Sequence, residues 1–270
     1  MVKLHFLKSM ANTINTSLIF ESESSVVVFD GGHTCETEYL HEYLLDLGGR
    51  VDAWFMTHAH NDHVHACFDM LSKYDDVTVL RAGYNFPSDE WLIADDKSGE
   101  GIGMALGLRK VFSEKNIPVD TVAVGDRYEF DGFSVQVLRI PNEAIHNINN
   151  ASVVYRVEAE GKSVLILGDL AVDAGEEVLA NVDHALLKAD YCQMSHHGQD
   201  GVDKSFYEVV RPTYCLWATP TWLWDNLGEG GYDTGCFSTV VTRGWISAMH
   251  CVKRHYLMQE GTHVIDLAQN

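Results

Sequence analysis

The sequence predicts a layered α/β fold in which helices cover β-sheets. Short apolar runs of strand-like composition alternate with helical segments along most of the chain. Turn residues separate β-rich segments at residues 131–132 and 160–162, which is typical of hairpins. Several of the apolar runs also end in histidine or aspartate, and sheet proteins often gather their site residues at such strand ends.

The predicted strands are residues 18–20, 25–30, 52–57, 77–81, 133–140, 152–158, 163–167, 191–195 and 213–218. The predicted helices are residues 36–47, 104–115, 174–182, 204–210 and 238–249. No repeat, low-complexity tract or linker interrupts the chain, so we expect a single domain over residues 1–270. Residues 84–118 break the alternation and are expected to form an insertion or lid. A second irregular loop is expected at about residues 219–236.

The charge balance argues against one class of partner. The chain holds 39 acidic side chains against 19 basic ones, which gives a formal charge of −20. This excess repels polyanions, whereas neutralisation of phosphates drives most nucleic-acid binding. We therefore expect a small-molecule substrate and no nucleic acid, and the oligomeric state stays open.

The N-terminus and the cysteines predict a cytoplasmic protein. The first six residues show neither the long apolar region nor the cleavage site of a signal peptide, and no membrane span is expected. The six cysteines are scattered and include no C-x-x-C pair, which fits reduced thiols.

Residues 57–63 carry the strongest functional signal, because three imidazoles and one carboxylate directly follow an apolar run. Side chains alternate along a strand, so His58 and His60 face one side and can bind one metal ion. Asp62 and His63 lie past the strand end, where the chain turns, and can reach a second ion. Imidazole and carboxylate suit zinc and other first-row metals, whereas a histidine-rich loop without metal would leave costly unpaired groups.

Other strand ends supply further candidate ligands. His146 precedes a predicted strand, and Asp169 ends an apolar run. His196 and His197 end another strand, just before a glycine. For His146 alone, a hydrogen-bonded loop histidine is an equal alternative. The joint order of His-x-His-x-Asp-His, His, Gly-Asp and His-His-Gly favours a two-metal site.

That order resembles the metallo-β-lactamase superfamily, whose fold is an αββα sandwich with a two-metal site at one edge. The resemblance spans nearly the whole chain. It begins at residues 27–32, where a strand ends in an aspartate, and continues through residues 57–63 and 167–170. The Ser-His-His-Gly stretch at residues 195–198 is similar to a subgroup that includes the soluble domain of the bacterial competence DNA-uptake channel and the phosphorylcholine esterases.

The resemblance implies a ligand set for two ions. The implied ligands are His58, His60 and His146 for one ion, Asp62, His63 and His197 for the other, and Asp169 for both. His196 would then face the substrate, although the reverse assignment of His196 and His197 stays open. Asp30 would orient the ligand loop without touching metal.

The implied activity is hydrolysis by a hydroxide bound between two divalent ions, most simply zinc, with manganese or iron as alternatives. Asp62 would orient that hydroxide or carry its proton, and His196 would steady an oxyanion or a phosphate oxygen. The subgroup favours a small phosphoester or phosphodiester. A lactone, thioester or lactam hydrolase and a di-iron oxidoreductase stay open as alternatives.

Aromatic residues in or beside the two irregular segments are candidates for pocket walls that could hold a quaternary ammonium group, and ordinary packing is the alternative for each. These residues are Tyr84, Phe86, Trp91, Trp217, Trp222, Trp224 and Tyr232.

Overall fold

The structure is a computed structural model that describes residues 1–269. Its strands are β1 Lys3–Phe6, β2 Ser17–Glu21, β3 Val26–Asp30, β4 Arg50–Val51, β5 Ala53–Phe55, β6 Thr78–Val79, β7 Ala82–Tyr84, β8 Val119–Thr121, β9 Arg127–Phe130, β10 Phe133–Arg139, β11 Val154–Ala159, β12 Lys162–Ile166, β13 Tyr191–Gln193, β14 Tyr214–Trp217, β15 Arg254–Leu257 and β16 His263–Asp266. Its α-helices are α1 Thr37–Asp46, α2 Asn61–Lys73, α3 Asp89–Asp95, α4 Glu100–Glu114, α5 Val172–Asn181, α6 His184–Leu187, α7 Lys204–Val210, α8 Thr221–Trp224 and α9 Thr239–Ser247.

Two seven-stranded sheets pack face to face. The first sheet has the order β16-β1-β2-β3-β5-β7-β8, and the second has the order β15-β14-β13-β12-β11-β10-β9. Aromatic side chains from both sheets meet in the central core, where Phe29 of the first sheet lies 5.3 Å from Tyr155 of the second, centroid to centroid. Burial of such large apolar side chains holds the two sheets together.

Helices cover the outer face of each sheet. In β3, Val27 and Phe29 face the central core while Val28 packs beneath α1, α2 and α4. A strand buried on both faces in this way is apolar at consecutive positions rather than at alternate ones, as β3 is. On the second sheet, Leu165 and Cys192 face the layer formed by α5, α6, α7 and α9. The predicted αββα architecture is therefore confirmed.

The sheet topology brings several strand ends to one edge. Strands β3, β5, β7 and β8 are parallel neighbours in the first sheet, as are β12 to β15 in the second. Backbone hydrogen bonds join the segments beyond these strands, since the Val153 amide donates to Thr57 and the His196 amide donates to Gly168. The residues after β5, β12 and β13 therefore lie side by side.

The predicted insertion at residues 84–118 folds into α3 and α4. Leu108, Val111 and Phe112 of α4 share an apolar cluster with α2, so this segment forms part of the helical layer on the first sheet. The sequence did not predict the helices α2, α3, α6 and α8, and it missed the strands β1, β4, β7, β8, β9, β15 and β16. Within residues 1–269, no helix is both long enough and apolar enough to cross a bilayer.

Candidate metal centre

The segment between β5 and α2 delivers four ligand-type side chains. After β5 the chain bends at Thr57 and at Ala59, and His60, which has φ −89° and ψ 154°, directly precedes α2. Asp62 and His63 lie in the first turn of α2, where the positive end of the helix dipole favours a carboxylate. The two histidines thus lie in the segment between β5 and α2, and the aspartate and the third histidine lie in the helix.

Asp169 follows β12 in a turn whose backbone is tightly packed. Gly168 has φ 55°, and a Cβ atom there would lie 2.7 Å from the Ser152 Oγ, so glycine is required. The buried Gln193 side chain clamps the same turn. Its Oε1 accepts a hydrogen bond from the Leu167 amide at 2.8 Å, and its Nε2 donates to the Gly168 carbonyl at 3.0 Å. These contacts fix the direction of the Asp169 carboxylate.

His196 and His197 lie in the 3-10 turn Ser195–Gly198 after β13. Both have left-handed backbone conformations, with φ 49° and 55°. Such a conformation costs a non-glycine residue on the order of 1–2 kcal/mol and is found mainly where a site demands it. The Thr219 hydroxyl donates to the His197 carbonyl at 2.5 Å, which helps to hold the turn.

Two groups of side chains converge at this edge, and they share Asp169. The first group is His58, His60 and Asp169, and the second group is Asp62, His63, Asp169 and His197. In each group the ligand-type atoms all lie within 4.8 Å of one another, which is close enough for a single metal ion.

The first group brings two imidazoles together on one side of Asp169. The His58 Nε2 lies 3.0 Å from the His60 Nδ1 and 3.9 Å from the Asp169 Oδ2. The two imidazoles therefore lie close to each other on the side of Asp169 that carries its Oδ2.

The second group is fully enclosed. The His63 Nε2 lies 3.0 Å from the Asp169 Oδ1, and the His197 Nε2 lies 2.8 Å from the Asp62 Oδ2. Despite these short distances, four of its buried atoms make ion-pair contacts that lack hydrogen-bond geometry. They are the Asp62 Oδ2, His63 Nε2, Asp169 Oδ1 and His197 Nε2. Buried polar atoms without a well-aligned hydrogen bond are costly, and a bound cation would satisfy them together.

The Nδ1 atom of each buried imidazole, which faces away from the ligand group, also has a polar partner. The His63 Nδ1 lies 2.7 Å from the Asp30 Oδ2, and the His197 Nδ1 donates to the Ala218 carbonyl at 2.9 Å. The His58 Nδ1 lies 3.3 Å from the Ser152 Oγ. Such contacts fix the ring orientation and leave the other nitrogen free to bind a metal.

The charges of the two groups are matched to a cation. Burial and the neighbouring His63 hold the pKa of His58 well below its ordinary value, so this ring is neutral and its lone pairs are available. Burial opposes ionisation of Asp62 and Asp169, but the surrounding imidazoles lower the pKa of both carboxyls. Both aspartates are therefore negatively charged at neutral pH.

In the absence of metal, two imidazoles of the second group hold protons. Burial disfavours the charged form of His63, but the carboxylates around it, Asp169 foremost, raise its pKa well above the ordinary value. The same balance raises the pKa of His197 to about 9. These protons occupy the nitrogens that a metal would need.

The structure does not bring His146 to either group. Its side chain is 80% exposed, its Nδ1 lies 3.0 Å from the Asp95 Oδ1, and its ring stacks on Trp91. The physical reason is the backbone at Asn147, whose φ of 77° turns the chain so that the 3-10 turn Ile148–Ala151 enters the site instead. The structure therefore does not place His146 beside His58 and His60, in contrast to the prediction.

His196 lies beside the two groups without joining either. Its Nε2 is 3.9 Å from the Asp169 Oδ2, and its side chain is 18% exposed. Burial and the neighbouring His197 lower its pKa, although Asp169 opposes this, so the ring is neutral. His197, which is completely buried, has the geometry expected of a ligand.

Sequence reasoning gave no role to two residues that support the site. Ser152 contacts His58 and also accepts a hydrogen bond from the Asp169 amide at 3.0 Å, and Gln193 clamps the turn at Gly168. In the sequence, Ser152 directly precedes an apolar strand and Gln193 lies within one. A polar residue at such a position was the signal that could have identified both.

Several aromatic residues predicted as pocket walls are packing residues. Trp217 is completely buried, and Arg243 covers the ring of Trp224 at 3.9 Å. Tyr84 and Trp91 are each 8% exposed. Among the residues near the irregular loop, Tyr232 is 59% exposed and is the most accessible of the predicted set.

Comparison with known proteins identifies the family. A model of the metallo-beta-lactamase superfamily matches residues 11–202. The chain belongs to this superfamily. ComE operon protein 3 of Bacillus subtilis (strain 168) is 26% identical over 168 residues, which are 62% of this chain and 20% of that protein. The chain thus spans about a fifth of the length of this relative.

Two solved structures share the fold over nearly the whole chain. YhfI of Bacillus subtilis, a metallo-beta-lactamase fold protein, has a TM-score of 0.59 at 10% identity and covers 98% of this chain and 100% of its own. A mutant of CmlA beta-hydroxylase has a TM-score of 0.61 at 10% identity, with 98% of this chain and 54% of its own covered. At these identities the likeness shows the fold alone.

Asp30 provides a test of how the His63 ring is held. Substitution Asp30→Asn keeps the side-chain shape but removes the charge that faces the His63 Nδ1. We expect zinc affinity to fall by about 10–100-fold, as is usual when a partner behind a metal-binding histidine is lost. Zinc titration against a competing chelator measures this. The exposed Asp46→Asn serves as the control. Unchanged zinc affinity in Asp30→Asn would show that the contact does not orient the ring.

The raised pKa values of His63 and His197 predict that metal uptake releases protons. Both rings are protonated at pH 7 in the metal-free protein and must lose those protons to bind metal. Between pH 6 and 8 the apparent affinity should therefore rise by about tenfold per pH unit for each proton released, and the contribution of His197 should level off above about pH 9. A pH indicator in weakly buffered solution measures the release. Metal uptake without protons, at an affinity independent of pH, would contradict this assignment.

Proposed function

We propose that this chain is a hydrolase that uses two divalent metal ions. The observation that supports this best is the position of Asp169, which belongs to both groups of side chains. Its Oδ1 lies 3.0 Å from the His63 Nε2, while its Oδ2 lies between the two groups, 3.3 Å from the His197 Nε2 and 3.9 Å from the His58 Nε2. A carboxylate shared in this way can bridge two ions, which is the arrangement used by many two-metal hydrolases.

The donor chemistry of both groups fits first-row divalent ions. The first group would hold one ion through two imidazoles and Asp169, and the second group would hold another through two imidazoles and two carboxylates. When bound, such ions would supply a hydroxide nucleophile near neutral pH and would stabilise negative charge on the reacting group. Zinc suits these ligands best, and manganese or iron is compatible with them.

Asp62 is proposed both as a ligand and as the residue that orients the nucleophile. Burial opposes its ionisation, but His63 and His197 hold its pKa well below the ordinary range. A carboxyl group with so low a pKa accepts hydrogen bonds strongly but takes up a proton poorly. The charge environment therefore favours an orienting role over the alternative role of proton carrier.

His196 is proposed to line the substrate side of the centre. It is neutral, partly exposed and close to Asp169, but it lies outside both ligand groups. A fixed polar ring at this place can position the group under attack beside the reacting centre. We propose His197 as the ligand of the pair.

A small phosphoester or phosphodiester is the proposed substrate class. The match to ComE operon protein 3 supports the subgroup resemblance on which this choice rests. The formal charge of −20 disfavours a long polyanion such as DNA. The six cysteines are free thiols, which supports the proposal that the protein works in the cytoplasm.

A substrate panel tests the proposal. Protein reconstituted with zinc or manganese is assayed with a phosphodiester, p-nitrophenyl phosphorylcholine, a lactone, a thioester and a lactam. We expect turnover of a phosphoester, with His196→Ala lowering kcat/KM by about 10²-fold while two ions stay bound, because the substrate loses a positioning contact. The exposed His250→Ala is the matched control.

The other outcomes separate the alternatives. Turnover confined to the lactone, thioester or lactam would contradict the substrate class but keep the two-metal mechanism. A coloured, iron-loaded protein that hydrolyses none of the five substrates would favour the oxidoreductase alternative. Loss of both ions in His196→Ala would show that His196 is a ligand and that our assignment of the pair is wrong.

A further inference from the structure

The first group contains fewer protein donors than the second. It has two imidazoles and Asp169, because His146 lies at the surface, whereas the second group has four donors. An ion bound there would have a coordination position open toward whatever side chain enters the site in place of His146.

The segment that enters the site is the 3-10 turn Ile148–Ala151. The two residues that follow this turn contact the segment that carries the first group, since the Ser152 Oγ lies 3.3 Å from the His58 Nδ1 and the Val153 amide donates to the Thr57 carbonyl. Ala151 also packs in the same small cluster as Ala59, which lies between the two histidines of the first group. Asn149 lies in the middle of this turn.

The Asn149 side chain is oriented by His196. Its Nδ2 lies 3.3 Å from the His196 Nε2, and the His196 Nδ1 lies 3.4 Å from the Asp200 carbonyl. The carbonyl of Asp200 can only accept, so the His196 proton lies on Nδ1. The Nε2 then accepts a hydrogen bond from the Asn149 amide nitrogen. This network leaves the Asn149 Oδ1 as the free atom of the amide.

That oxygen is buried and has no hydrogen-bond partner. A buried acceptor without a partner costs on the order of 1–3 kcal/mol, and an amide oxygen is a good ligand for a divalent cation. We propose that the Asn149 Oδ1 supplies the fourth protein contact to the ion held by His58, His60 and Asp169, in the place predicted for His146. This inference rests on the proposed two-metal function, and it gives His196 the added role of positioning the amide.

Metal binding by three variants tests the inference without using activity. Asn149→Ala removes the oxygen, Asn149→Asp keeps an oxygen but cannot donate to His196, and His146→Ala removes the residue that the sequence favoured. Each protein is titrated with Co²⁺ against a chelator, and the visible absorption spectrum of bound Co²⁺ is recorded. Thermal unfolding of the metal-free proteins checks that the variants are folded.

We expect Asn149→Ala to bind one of the two ions about 10–100-fold more weakly and to change its Co²⁺ spectrum. Asn149→Asp should bind both ions at least as tightly as the wild type, since a carboxylate oxygen replaces the amide oxygen. His146→Ala should match the wild type in affinity and spectrum.

Three results would overturn the inference alone while the wild type still binds two ions. They are unchanged binding by Asn149→Ala, binding by Asn149→Asp that is as weak as that of Asn149→Ala, and loss of an ion in His146→Ala. The second of these would show that the amide acts only by donating to His196. A wild-type protein that binds no ion would instead overturn the proposed function, and this inference with it.

Discussion

Two buried carboxylates and the imidazoles around them are the constraint on which the rest of the site depends. Asp62 is 4% exposed and Asp169 is 2% exposed, and both are ionised at neutral pH. Burying such charges is expensive unless they are paired, and the pairing here leaves four buried atoms without well-aligned hydrogen bonds. Protons on His63 and His197 compensate part of this charge in the metal-free protein, and divalent cations would compensate it more completely.

The fold holds the metal-binding side chains of this site in rigid surroundings. Asp30 behind His63, Gln193 behind the turn at Gly168 and the left-handed turn at His196 and His197 are all buried or tightly held. Each element accepts a local cost, in strain or in a buried polar group, so that a ring or carboxylate points in one direction. Donors that need no rearrangement bind metal with little loss of conformational entropy.

The sequence predicted the parts of the site that depend on local geometry. The spacing of the motif at residues 58–63 predicted that His58 and His60 lie in one group and that Asp62 and His63 lie in another, and the structure groups the four side chains in this way. The apolar runs that end at Asp169 and His197 likewise predicted that these residues lie at one sheet edge. The layered fold was predictable for the same reason, because apolar strands and helical segments are local patterns.

The parts that the sequence did not predict depend on contacts between distant residues. Whether His146 or Asn149 reaches the site is decided by Asp95 and Trp91 of α3, and by the positive φ of Asn147. No pattern near His146 reveals these contacts. Likewise Trp217 and Tyr84 look like candidates for a pocket wall in the sequence, and only the packing of α9 and α4 shows that they are buried. Edge strands such as β9 were missed because they are half exposed and weakly apolar.

The most direct test of the central claim is electron paramagnetic resonance of the protein loaded with Mn²⁺. Two ions that share the Asp169 carboxylate should lie about 3.5–4 Å apart and should be magnetically coupled. We therefore predict two ions per chain and a coupled spectrum, and we predict that Asp169→Ala abolishes the coupling. Two uncoupled signals, or a single ion at saturation, would contradict the proposal that one carboxylate organises a two-metal centre.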